Sequence, residues 1–181
     1  MEISIADTQE QVEQVQALTA KIYKREGFHD INYKPTLFNN DKNTKIFIAT
    51  DGPHLLGSVS TTLNSPLGLP IFDNFKSHVD IVSRVCHKHN QKLGCAWRIV
   101  ASQHEKPLHT ILCLIDRALR YAIETNVDMT LFAFHPRHVK FYLKALCLVE
   151  IAKISQPSAS LMIGYTKDMT NCWSILKERW I

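Results

Sequence analysis

No uninterrupted apolar run of about 18 residues occurs in the sequence, so nothing in it reads as a membrane-spanning helix. The first ten residues, MEISIADTQE, carry acids where a secretory signal needs a basic and then an apolar segment, which predicts a cytoplasmic protein. Peripheral contact with a membrane stays open. There is no run of five or six like charges, and a formal net charge of +4 at pH 7 is too small to announce a nucleic-acid partner. No C-x-x-C pair occurs: the five cysteines, an odd number, are expected to be reduced thiols, mostly in the core, without a disulfide framework. The CHKHN stretch at Cys86–Asn90 has no second ligand pair at a suitable spacing, so no metal site is expected. Repeats, linkers and low-complexity stretches are also missing, leaving one domain over 1–181.

What is present is an alternation of strand and helix signals. Ile3–Ala6 reads as a strand, and Thr8 with Gln11 forms a capping-box pattern ahead of Val12, Val15, Leu18 and Ile22, predicting a helix over Gln9–Arg25. The following stretch, EGFHDINYKPTLFNNDKNT, lacks either period and reads as a long surface loop that covers a substrate. KIFIAT and LLGSVSTTL flank DGPH as a hairpin, and Val79, Val82 and Cys86 repeat at helical spacing. LGCAWRIVAS is a mostly apolar central strand in which Arg98 needs a partner or ligand. Pro107 opens the strongest helix, DMTLFAF is the next strand, RHVKFYLKAL a helix, LVEIAKIS and ASLMIGYT closing strands, and NCWSILKERWI a terminal helix. The succession describes a single α/β domain.

FAFHPRHVKFYLKAL, Phe132–Leu146, places four polar residues where a strand meets a helix, the junction at which open α/β sheets gather their chemistry. The element order resembles the GNAT acyltransferase fold. Three segments narrow that likeness: TTLNSPLGLPIFDNF (Thr61–Phe75), FHPRHVKFYLKAL (Phe134–Leu146) and QPSASLMI (Gln156–Ile163) resemble successive signatures of the N-acyl amino acid synthase (FeeM-like) family. The resemblance spans roughly Lys45 to Asp168. It implies an α/β fold whose mixed, mostly antiparallel sheet, flanked by helices, splays between its fourth and fifth strands. It implies transfer of a long acyl chain from an acyl carrier protein to the amine of an amino acid, with no tightly bound cofactor and an acyl-phosphopantetheine thioester as co-substrate. VASQHEKPLHT, at Val100–Thr110, has no glycine where coenzyme A users carry a turn that holds a pyrophosphate on backbone N–H groups, which favours a carrier-bound donor over coenzyme A.

The same resemblance implies the site. Tyr142 falls where such enzymes protonate the departing thiolate, a task a phenol can perform. His135 and His138 flank the channel, and either imidazole suits removal of a proton from the incoming ammonium. Cys95 stands where the family usually carries a glutamate, and a thiol among apolar neighbours cannot hold an ammonium as a carboxylate does. Arg98 is a candidate for the amino acid's carboxylate. Ile99, Val100, Ala101 and Phe134 are expected along the acyl chain, and Arg137, Lys140 and Lys144, at i, i+3 and i+7, as a basic face for an acidic carrier protein. Two alternatives follow: a silent relative that binds an acyl chain or carrier protein, signalled by Cys95, and an acetyltransferase using acetyl-coenzyme A.

Overall fold

The structure, a computed structural model, describes residues 1–27, 35–63, 65–103, 106–155 and 158–180, apart from the side chains of 35, 36, 179 and 180. Much of the loop expected to cover a substrate, together with Asn64, His104, Glu105, Gln156 and Pro157 of the quoted segments, lies outside the described residues.

The chain opens with β1 (Glu2–Ile5) and α1 (Gln9–Arg25). Thr8 and Gln11 form the expected capping box: Gln11 N donates to Thr8 Oγ1 at 3.2 Å and Thr8 N to Gln11 Oε1 at 3.3 Å. Hairpin β2 (Thr44–Asp51) and β3 (His54–Leu63) turns at Gly52, whose φ of +54° suits a glycine. Then follow α2 (Lys76–Lys88), β4 (Leu93–Ala101), α3 (Pro107–Glu124), β5 (Met129–Phe134), α4 (Pro136–Ala145), β6 (Val149–Ser155), β7 (Ser158–Tyr165) and α5 (Thr166–Trp180). The terminal helix starts five residues before the stretch read from the sequence. It grows straight out of β7, with Thr166 N donating to Asp128 O at 2.9 Å and Asp168 placed favourably in its first turn.

The seven strands form one sheet in the order β1-β2-β3-β4-β5-β7-β6, antiparallel throughout except where β5 runs parallel to β4 through the α3 crossover. Alternation along β2 divides the core. Ile46 and Ile48 face Val12 and Val15 of α1, while Phe47 and Ala49 face Leu114 and Ala118 of α3. At the centre the same division puts Cys95, Trp97, Leu131 and Leu161 with Phe75 and Cys86 on the α2 side. Ala96, Phe132 and Met162 lie with Leu112, Val139 and Trp173 on the side of α3, α4 and α5. Asp116 ties α3 to α5, accepting from Trp173 Nε1 at 3.1 Å and Lys177 Nζ at 2.9 Å.

One expectation is corrected here. Cys147, in the turn after α4, and Cys172, on α5, are joined as a disulfide with their Cα atoms 6.1 Å apart. The sequence did not show that α5 returns across this turn, so the pair looked like two unrelated thiols. Cys86, Cys95 and Cys113 remain free. No helix among the described residues is long and apolar enough to cross a membrane.

Candidate active site in the splay between β4 and β5

The β4–β5 ladder runs from Leu93 opposite Met129 to Ala96 opposite Phe132 and stops there. Beyond it β5 keeps pairing only with β7, Ala133 opposite Leu161 and Phe134 opposite Ser160. On its other side β4 bulges: Trp97 pairs with Ser60 and Val100 with Ser58, so three steps of β4 span two of β3. Arg98, inside the bulge, has φ +50°, an uncommon conformation for a residue with a side chain. Its surroundings hold it. The residue is fully buried, its guanidinium lies 4.0 Å from the Trp97 ring centroid and donates from Nη2 to Asn39 Oδ1, and Ser58 Oγ donates to its carbonyl at 3.4 Å. Gly57 lets β3 pass close to this distorted end, since a Cβ there would sit 2.6 Å from Val100 O.

Bulge and lost ladder together open a cleft of about 310 Å³. Ile99, Val100, Ala101 and Phe134, expected along the acyl chain, all line it. Leu131 does not, because it still belongs to the zipped section opposite Cys95. Tyr142 enters from α4, its ring stacked on Phe134 at a centroid distance of 3.9 Å and an interplanar angle of 9°. Burial pushes its pKa well above the ordinary phenol value, so the Tyr142 hydroxyl stays protonated at any working pH.

His135 also lines the cleft, and as N-cap of α4 its Nδ1 accepts from Arg137 N at 3.3 Å. His138 Nε2 accepts from Arg137 Nε at 3.1 Å. Partial loss of water, then the Arg137 charge, lower the pKa of the exposed His138 below that of ordinary imidazole, with Glu26 opposing. His138 is thereby neutral at neutral pH, the state a base requires. Arg137, expected on a docking face, instead lines the cleft and pairs with Glu26. Lys140 and Lys144 are exposed on α4 and do not line the cleft.

Cys95 is 1% exposed, and burial pushes its thiol pKa far up. It borders two small cavities of about 20 and 30 Å³ beside the strand, and not the main cleft. Two lining residues had no signal in the sequence, Tyr23 and Glu26, both from the end of α1. Tyr23 is half-buried against the bulge: loss of water raises its pKa to about 12, against the opposing effects of the Arg98 charge and backbone amide. The Y-K-R-E-G sequence at the exit of an amphipathic helix gave no motif or spacing from which to suspect either.

At the other mouth of the cleft, α3 begins at Pro107, which has no N–H, and Thr110 N donates to Lys106 O. Among the described residues there, Pro107 has no amide to offer a pyrophosphate and that of Thr110 is already bonded.

The family model for the N-acyl amino acid synthase FeeM matches residues 14–160. The chain belongs to the FeeM family of N-acyl amino acid synthases. It is thus an acyltransferase with the splayed sheet of the GNAT fold. Among solved structures it is similar to FeeM from uncultured soil microbes, with a TM-score of 0.79 at 20% identity over 92% of this chain and 91% of the other. It is similar to an acyl-CoA N-acyltransferase from Pseudomonas aeruginosa, with a TM-score of 0.63 at 15% identity over 90% and 97% of the two chains. A coenzyme A-dependent acyl-homoserine lactone synthase, BjaI, described with SAM and isopentyl-CoA, superposes with a TM-score of 0.62 at 10% identity over 98% and 87%. No curated protein sequence matches the chain.

Proposed function

We propose that this N-acyltransferase moves a long acyl chain from the phosphopantetheine thioester of an acyl carrier protein to the amine of an amino acid. The observation that carries the reading is the end of the β4–β5 ladder at Ala96 and Phe132, which opens a slot walled by Ile99 and Phe134 with the buried Tyr142 phenol beside it. A thioester laid along β4 has its chain against Ile99 and Phe134 and its sulfur toward Tyr142. Each methylene withdrawn from water contributes about 0.8 kcal/mol, which gives the chain its hold.

In the transfer, His138 takes a proton from the acceptor ammonium and the amine nitrogen attacks the thioester carbonyl carbon. The C–N bond forms, the C–S bond breaks, and the departing thiolate takes its proton from the Tyr142 hydroxyl. The second amine proton, lost as the tetrahedral intermediate collapses, restores the phenol through solvent.

The glycine-free start of α3 supports a carrier-bound donor, which brings no adenosine pyrophosphate to grip. Lys140 and Lys144 supply exposed positive charge on the adjoining helix for an acidic carrier.

The test is to incubate the protein with pooled amino acids and a long-chain acyl group on either acyl carrier protein or coenzyme A, then search by mass spectrometry for N-acyl amino acids. Product from the carrier-bound donor, formed less readily at high salt, is expected. Product from coenzyme A alone would overturn the donor assignment. No product from either would overturn the enzymatic reading of this site.

A further inference from the structure

Among the described residues, three arginines line the cleft, Arg25, Arg98 and Arg137, against a single carboxylate, Glu26. Glu26 caps α1, and its side chain is only 7% exposed. One partner is its neighbour Arg25, at 3.3 Å; the other is Arg137, from the first turn of α4. Because α1 and α4 lie on opposite faces of the sheet, this second pair forms through the gap that the splay leaves. The Arg98 guanidinium is committed to Asn39 and Trp97 and is fully buried. Arg137 differs: its side chain is 54% exposed and anchored only to charged or ring partners at the mouth. The Glu26 side chain is buried, so a ligand that displaces Arg137 must bring a cation of its own to that carboxylate, which an ammonium group does.

A free amino acid is itself a cation and an anion on one carbon. We propose that Glu26 and Arg137 are the two poles of the acceptor subsite. In the empty cleft they satisfy one another. An arriving amino acid separates them, its ammonium bonding to Glu26 and its carboxylate to the Arg137 fork, a geometry guanidinium recognises through two parallel bonds. The exchange has a chemical consequence at His138. Its Nε2 now accepts from Arg137 Nε, and when that guanidinium turns to the ligand the nitrogen's lone pair is released beside the captured ammonium. Binding of the correct acceptor thereby frees the base. The subsite also supplies the carboxylate that Cys95, buried and protonated, does not.

This inference rests on the N-acyltransferase reading, and its test is arranged to separate the two. Binding of amino acids to donor-free protein is measured by calorimetry, beside steady-state kinetics with an amino acid and its carboxamide as acceptors. Wild type should prefer the free acid. Arg137→Gln should weaken binding of the acid by about 10- to 100-fold, the span of a charge-assisted hydrogen bond, and leave the carboxamide nearly unaffected. Glu26→Gln should raise KM for both acceptors. The double variant Glu26→Arg with Arg137→Glu rebuilds the ion pair with its poles exchanged. If the pair only braces α1 against α4, that variant keeps wild-type binding and KM, and the subsite is refuted. Loss of binding in a double variant whose thermal midpoint matches wild type is the expected result. Equal use of acid and carboxamide by wild type would also overturn the proposal. Should wild type transfer no acyl group at all, the calorimetric arm still decides the subsite, while the enzymatic reading fails separately.

Discussion

The lower and upper halves of β4 belong to one strand and follow opposite rules. From Gly94 to Ala96 the strand is hydrogen-bonded on both sides, and its side chains fill a core in which Cys95 is held un-ionised by loss of water. From Trp97 to Ala101 the β5 partner is gone, a bulge re-aims the backbone, and the freed space collects two phenols, two imidazoles and an ion pair. Packing demands that polar groups be absent or paired, whereas chemistry demands that a few be left open to a ligand. The strand separates the two by stopping its ladder after Ala96. A buried titratable group in the zipped half is inert by construction, and one facing the splay is poised.

The sharpest way to break that contrast is Tyr142→Phe. The ring keeps its stack on Phe134 and loses only the hydroxyl. Acyl transfer should fall by roughly 10²- to 10⁴-fold, the range for a single positioned acid, while binding of the acyl donor stays near wild type. Unchanged turnover would remove Tyr142 from the chemistry and would falsify the assignment of the upper half as the reactive one.

Leu131→Ala is the matching change in the zipped half. Leu131 is fully exposed to its neighbours and to no water, so truncation should cost about 2–5 kcal/mol of folding stability, measured by denaturant unfolding. The rate per folded molecule should hold. A large drop in that rate with little loss of stability would show that the halves are not separable.

How the sequence announced these halves differs for physical reasons. Strand and helix order, the Thr8–Gln11 cap, the hairpin at Gly52 and the stripe of α3 are local patterns, and each was readable before any contact was known. The cleft walls Ile99, Phe134 and Tyr142 were reachable through the family likeness, because the FHPRHVKFY segment carries most of them in one run. Glu26 and Tyr23 were not. They come from a helix on the far face of the sheet, more than a hundred residues before α4, and only the gap in the sheet brings them to it. The Arg98 bulge was equally hidden, since nothing in W-R-I-V signals a left-handed arginine until Asn39 and Trp97 surround it. The disulfide failed for the same reason: two thiols 25 residues apart meet through the return of α5.

A third prediction concerns pH. His138 has a pKa below the ordinary imidazole value of about 6.5, so the base should remain neutral to more acidic pH than a free imidazole would. The acid limb of kcat/KM should therefore fall below about pH 6.5, and His138→Gln should flatten it. The stability effect has a fixed sign. With the folded pKa depressed, the unfolded chain binds more protons between the two values, so His138 adds stability as pH rises through that interval and loses it as pH falls. An acid limb that is unmoved in His138→Gln would point to another base.

The smallest expected effect belongs to Cys95→Ala. If the zipped half is inert, removing a buried sulfur from among Trp97, Phe75 and Leu131 costs only packing, on the order of 1 kcal/mol, the size typical of a single substitution. Acyl transfer should be unchanged, and so should its pH profile, because a thiol raised this far by burial never ionises in the range where the enzyme works. Cys95→Glu probes the same position from the other direction. A carboxylate there would stand among the apolar side chains of the α2-side cluster, so the variant should lose several-fold more stability than Cys95→Ala without gaining rate. Were Cys95→Glu instead to fold well and speed transfer, the carboxylate function would belong to β4, and the division at Ala96 would lie one turn of the pleat too high.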